Sequence, residues 1–148
     1  VCNLVKLLLY VAKEEGVDVT ATKLQKIFFL LEKEGGVDLG LNFEPWFFGP
    51  YSSTLQDCIN KLIDMGEVDV KEEEVRDVIT DQVVGYKRSY VLNSEIKEGD
   101  KNIEEFFRDW VKKSREEILN YVYKKYPEYT SYTIIRDKVL ADILNKEK

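Results

Sequence analysis

Between Leu24 and Leu31 the chain concentrates Leu24, Ile27, Phe28, Phe29, Leu30 and Leu31. Leu24, Ile27, Phe28 and Leu31 fall on one helical stripe, and Phe29 and Leu30 widen it beyond what one packing partner covers. A helix this apolar belongs at the centre of a core, with other elements on several sides. Thr22-Lys23-Leu24-Gln25 ahead of it has the spacing of a capping box, and Gly35-Gly36 behind it stops the helix. At 148 residues and 44% hydrophobic, the chain can bury such a core in one domain but is short for two.

The flanking patterns supply the surrounding elements. Leu4, Leu7, Leu8 and Val11 make one face of a helix ending near Gly16, and Val17 to Thr20 reads as a short extended link. Phe43-Glu44-Pro45-Trp46-Phe47-Phe48 reads as a short edge strand, because Pro45 cannot donate to a ladder, and Gly49-Pro50 as a turn. Ser53-Thr54-Leu55-Gln56 repeats the capping spacing. Leu55, Cys58, Ile59, Leu62 and Ile63 then form an amphipathic helix closed by Gly66, with Cys58 as a small apolar core residue. Val68 and Val70, then Val84, Tyr86, Arg88, Tyr90 and Leu92, alternate with polar residues, which predicts a hairpin with Glu72-Glu73-Glu74 in its polar tip.

Beyond a spacer from Asn93 to Lys101, Asn102 and Glu105 are placed to cap a helix with Ile103, Phe106, Phe107 and Trp110 on its apolar face. Ser114-Arg115-Glu116-Glu117 marks a break and a restart that buries Ile118, Leu119 and Val122. Pro127 ends that helix, and a last one from about Tyr132 would bury Ile135, Val139 and Ile143. The fold class expected is α+β, mostly helical. Residues 1–148 form a single domain, with a winged-helix-like core (helix–helix–strand–helix–β-hairpin) over 1–92 and a C-terminal helical extension over 93–148.

Chemistry is narrowed by what is missing. Without histidine there is no Ser-His-Asp or Cys-His machine and no imidazole zinc site. Cys2 and Cys58 form no Cys-x-x-Cys pair; they read as free or buried thiols suited to a reducing cytoplasm, though a bridge depends on geometry. No apolar run is long enough to span a membrane, no cleavage site follows the apolar start, and a chain beginning at Val1 is expected to lack an initiator or short leader. The carboxylate run Glu72-Glu73-Glu74 with Asp77 reads as solvated rather than as a magnesium site, since a site needs carboxylates converging from separate elements. No catalytic residue, metal or cofactor is expected. The net charge of −6 is uneven: residues 53–79 hold three bases and eight acids.

The segment Thr22-Lys23-Leu24-Gln25-Lys26-Ile27-Phe28-Phe29, followed by Phe43, Trp46, Phe48-Gly49-Pro50-Tyr51-Ser52, Leu55, Ile59, Leu62, Gly66 and Val68, resembles the Panacea family of SocA-like antitoxin-type domains and the related YwgA-like proteins. The ordered set over residues 20–70 carries the resemblance. It implies a small helical domain of winged-helix character that acts through protein contacts, as an antitoxin-type or regulatory module, with no catalytic residues. The charged 67–82 hairpin and the many C-terminal tyrosines depart from that pattern.

Three groups of residues are candidates for contact. The outer face of the 53–65 helix carries Thr54, Gln56, Asp57, Asn60, Lys61 and Asp64. Gln and Asn read adenine edges, but the aspartates repel phosphates, so this face suits a protein partner better than DNA. The loop Gly49-Pro50-Tyr51-Ser52 can present a helix N-terminus to an anion, or simply make a turn and a cap. Arg108, Lys112 and Arg115, with Lys113, Lys124 and Lys125 nearby, form a basic stripe that i,i+4 pairs such as Glu104–Arg108 and Asp109–Lys113 also explain. Tyr121, Tyr123, Tyr126, Tyr129 and Tyr132 divide between core and interface. The function expected is a cytoplasmic, non-catalytic protein-interaction module using the 53–79 helix–hairpin face, with a homodimer among the assemblies open to it. The alternative is a winged-helix DNA-binding transcriptional regulator.

Overall fold

The computed structural model describes residues 1–46, 49–96 and 99–129. Its architecture is α+β. The order is α1 (Cys2–Glu15), β1 (Val19–Thr20), α2 (Ala21–Glu34), β2 (Glu44–Trp46), β3 (Gly49–Tyr51), α3 (Ser53–Asp64), β4 (Val68–Arg76), β5 (Val83–Leu92), α4 (Lys101–Val111) and α5 (Arg115–Lys125), with a 3-10 turn at Pro127–Tyr129.

Every residue of α2 from Lys23 to Leu31 is buried, so this helix has neighbours all round, as its apolar width demands. α4, α5, β3 and β5 pack against it, and α1 joins α3, α4 and β5 around the same interior. Phe28 meets Phe107 of α4 with ring centroids 5.4 Å apart. Phe29 sits among Phe43, Tyr126 and Tyr129 at 5.3, 5.1 and 4.7 Å, in edge-on or tilted contacts that suit aromatic quadrupoles. Phe107, Val111, Ile118 and Val122 belong to the same core cluster as Leu8 and Leu24, so α4 and α5 complete the core rather than append to it. Fully burying each such side chain contributes about 1.5–3 kcal/mol before chain entropy is charged against it.

The strands form two sheets. One is antiparallel with order β1-β5-β4; the other is the β2-β3 hairpin, with Pro45 opposite Pro50. The Val17–Thr20 link thus joins the sheet, with Val19 opposite Tyr90 and Thr20 opposite Ser89. Gly49-Pro50 is not a turn but lies within β3, because extended Pro50 needs no amide partner at a two-stranded edge. Glu72, Glu73 and Glu74 are not in the hairpin tip either. They lie along β4, opposite Arg88, Lys87 and Tyr86.

The helix caps shift from their expected positions by up to two residues. Thr20 rather than Thr22 caps α2, its hydroxyl accepting from the Lys23 amide at 3.2 Å. Ser52 rather than Ser53 caps α3, accepting from Leu55 at 3.1 Å. Asp100 rather than Asn102 caps α4, accepting from Asn102 and Ile103. Ser114 caps α5 as its spacing predicted. The expected helix from Tyr132 lies outside the described residues.

Cys58 is not a free thiol in the core. It is half-buried and disulfide-bonded to Cys2, with their Cα atoms 5.3 Å apart. The bond ties the start of α1 to the middle of α3, and a Lys6–Glu67 ion pair at 3.0 Å spans the same seam. No helix among the described residues is long and apolar enough to cross a membrane.

A disulfide closing a loop over this separation of 56 residues restricts the unfolded chain by about 4 kcal/mol in the chain-entropy model, and removing native disulfides costs about 2–5 kcal/mol. Cys2→Ser/Cys58→Ser should therefore lower the unfolding free energy by about 2–4 kcal/mol in urea titrations without reductant. With reductant, the two proteins should unfold nearly alike.

Candidate functional site

The polar residues embedded in α2 organise the region around it. Lys23, Gln25 and Lys26 sit on a helix that has no water-facing side at their level, so each needs a partner inside. Gln25 finds two: its Nε2 donates to the Ser52 carbonyl at 3.0 Å, and its Oε1 accepts from the Ser52 amide at 2.8 Å. Ser52 is fully buried, and its hydroxyl also donates to Leu41 O at 2.6 Å while capping α3. One glutamine thus fixes where β3 ends and α3 begins. A capping box would have sent that side chain back to its own helix end.

Lys26 donates to Pro50 O at 2.9 Å. Burial, with the Arg115 guanidinium nearby, lowers its pKa to about 7. Gly49 closes against the same place with φ of +95°. A Cβ there would lie 3.1 Å from Tyr123 Cε1 and 3.2 Å from Lys26 Cε, so both backbone and space call for glycine. The Tyr123 hydroxyl beside it is buried without a hydrogen-bond partner. The loop Gly49-Pro50-Tyr51-Ser52 is therefore a packing joint. Its half-buried member, Tyr51, stacks on Trp46 at 4.3 Å, and the pair borders a small apolar cavity of about 260 Å³ with Gln25 and Gln56.

The outer face of α3 is open to solvent: Thr54, Asp57, Asn60, Lys61 and Asp64 are exposed, and Gln56 is half-buried. Gln56 donates to Asn60 Oδ1 at 3.1 Å, so the two amides are already engaged with each other. Beside this face the β4–β5 ribbon projects from the body. From Lys71 to Arg76 its β4 side chains are all exposed. Lys71 pairs with Glu73 at 2.9 Å and Arg76 with Glu74 at 2.8 Å. At the tip, Val78 and Ile79 are 99% and 93% exposed, with Val75, Val83, Val84 and Tyr86 also open below them. Strand alternation concealed this, since neither Val78 nor Ile79 belongs to a strand.

Cations of the basic stripe already have partners within the chain. Arg108 is enclosed by carboxylates, donating to Glu15 at 2.7 Å, Glu14 at 2.9 Å and Glu104 at 3.0 Å. Lys112 reaches Glu15 at 3.8 Å, and Lys113 stands over the Trp110 ring. Lys112 and Arg115 instead border a cleft of about 920 Å³ with Lys113, Lys23, Lys87 and Arg88. Cations from α2, β5 and the α4–α5 junction meet there, from sequence positions too distant for spacing to reveal. Lys23 donates to Val111 O at 2.6 Å, and burial followed by the nearby Lys87 charge lowers its pKa.

The tyrosines divide. Tyr123 is buried, while Tyr121 and Tyr126 pack on the core and donate their hydroxyls to Glu34, which also accepts from Lys125 at 2.9 Å. Tyr129 packs against the core, and Tyr132 lies outside the described residues. Among the described residues no group of three acidic or thiol side chains is arranged to hold a metal ion. Comparison with protein-family models, curated proteins and solved structures finds no match to this chain.

Two outcomes follow for the α2 joint. Gln25→Ala leaves the Ser52 amide buried and bare while its carbonyl keeps only the Gln56 amide, and should cost about 1–3 kcal/mol of stability in urea titration. Between pH 7 and about 10 the native Lys26 amine is neutral while the unfolded one stays protonated. The unfolded chain then binds more protons, and stability rises with pH. Lys26→Met should flatten that rise in melts between pH 7 and 9.5.

Proposed function

We propose that this chain is a non-catalytic protein-interaction module, antitoxin-like or regulatory, that engages its partner through the 53–79 helix–hairpin face. The observation that carries this reading is the ribbon tip. Val78 and Ile79 stand almost wholly in water at the end of a ribbon whose exposed charges include Glu72, Glu73 and Glu74. Adjacent exposed aliphatic side chains at the tip, with Val75, Val83, Val84 and Tyr86 exposed below them, suit a protein surface that desolvates them. Asp57 and Asp64 on α3 and the acidic β4 suit a partner with a basic surface, and disfavour a close approach of DNA phosphates.

The scaffold is read as a winged-helix-like core. Three features support this: the succession α1, α2, the β2-β3 strands, α3 and the β4-β5 hairpin, with β1 added between α1 and α2; the β1-β5-β4 order; and α3 lying immediately before the hairpin. The reading is a fold-level analogy and assigns no residue a role by itself. The same scaffold supports the second reading, a DNA-binding transcriptional regulator, through the cations of Lys87 and Arg88 at the base of the ribbon.

Affinity capture with the wild-type chain should recover one stoichiometric protein partner. Val78→Asp/Ile79→Asp and, separately, Asp57→Lys/Asp64→Lys should each reduce that recovery at least tenfold while thermal melting stays within a few degrees. Recovery of no protein by the wild type, together with salt-sensitive shifts of duplex DNA in gels, would favour the second reading instead.

A further inference from the structure

The cleft between the α2 N-terminus, β5 and the α4–α5 junction gathers six of the chain's cations around about 920 Å³. In a protein of net charge −6 this convergence is a local reversal of sign. The cations come from three separate elements, which surface i,i+4 pairing does not bring about. Burial, then the nearby Lys87 charge, lowers the Lys23 pKa against the pull of Asp18 and Glu117, and burial followed by Arg115 does the same to Lys26. Like charges held together across a concave wall strengthen the field that a multiply charged anion meets there.

The residue types narrow the ligand. Arg88 and Arg115 offer planar forks that match phosphate oxygens, while Lys87 and Lys113 act as mobile point charges. A volume of about 920 Å³ is in the range of pockets for cofactor-sized molecules, well above what a lone inorganic anion fills. Tyr86 and Val75, both on the exposed ribbon, add an apolar ledge at one wall. Asp18, Glu116 and Glu117 also line the cleft and set negative charge among its cations. They interrupt any track along which a long polyanion would lie, so the cleft favours a compact ligand over a nucleic acid duplex.

We propose that this cleft binds a phosphorylated small molecule of nucleotide size: its phosphates lie among Lys87, Arg88, Lys113 and Arg115, and its planar or apolar part rests on Tyr86. This site is separate from the partner face on α3 and the ribbon tip, and stands whether or not that face binds a protein. Val75 and Tyr86 lie on the outer part of the ribbon, and Val75 also belongs to the 53–79 segment, so occupancy of the cleft bears on the ribbon just below its tip.

The test is isothermal titration and thermal shift with the full chain at fixed ionic strength. The probes are ATP, ADP, tripolyphosphate, adenosine and a short mixed-sequence DNA duplex. The expected result is saturable micromolar binding of ATP and ADP that raises the melting temperature, with adenosine silent. Lys87→Glu/Arg88→Glu should weaken binding at least tenfold, while Lys13→Glu at the exposed C-terminal turn of α1, outside the cleft, should leave it unchanged. If the double variant does not melt cooperatively, Lys113→Glu on the opposite wall reads the same loss. Tripolyphosphate binding as tight as ATP would confirm the phosphate subsite and remove the Tyr86 ledge from the proposal. Failure of every phosphate probe to bind, binding that both cleft variants leave intact, or duplex binding tighter than nucleotide would each overturn it.

Discussion

Burying a helix on all sides is the constraint from which the rest of this molecule follows. α2 cannot be covered by one neighbour, so α4, α5, β1, β3 and β5 are gathered around it, with α1 packed on α3, α4 and β5 around the same core. Yet the same helix carries Lys23, Gln25 and Lys26, which cannot be buried without partners. Their partners are backbone carbonyls and amides at Val111, Ser52 and Pro50. These lie at the end of α4, the start of α3 and the middle of β3. The polar residues of α2 therefore specify where its neighbours end, while the apolar ones supply the attraction. Removing the first kind of contact leaves a core that still collapses but with less definition in its joints.

The electrostatics divide in a related way. Carboxylates surround Arg108 and the Glu34 cluster collects Lys125 with two tyrosine hydroxyls, so much of the charge on the C-terminal helices is spent holding them to α1 and α2. These exposed or half-exposed pairs each contribute little. Their effect is to settle orientation among helices that apolar packing alone leaves degenerate. Elsewhere like charges gather instead: cations along the cleft beside β5 and carboxylates along β4.

Local periodicity made the helices legible. α1, α2, α3, α4 and the restart at Ser114 each follow from stripe spacing and a stop signal, because such patterns depend only on residues a turn apart. Caps were legible to within two residues, since Thr20 and Thr22, or Ser52 and Ser53, offer the same chemistry and only the entry angle of the chain decides between them. The strand pair at Trp46 and Gly49 was half visible: Pro45 announced an edge, but Pro50 looked like a turn until its partner was known. The cleft was not legible. Lys23, Arg88 and Lys113 are brought together by tertiary packing, and no spacing rule links them. The Cys2–Cys58 bond was equally hidden, because pairing two thiols depends on the crossing of α1 over α3.

The ribbon has a mechanical consequence. Beyond Ser89 it has no core beneath it, so it is a cantilever clamped at one end and loaded at the other. Its clamp is the pairing of Ser89 and Tyr90 with Thr20 and Val19, and Thr20 is also the cap of α2. A torque applied at Val78 and Ile79 is thus delivered through that clamp to the first turn of the helix around which everything else is assembled. The fulcrum of the lever and the first turn of the central helix meet in one residue, Thr20.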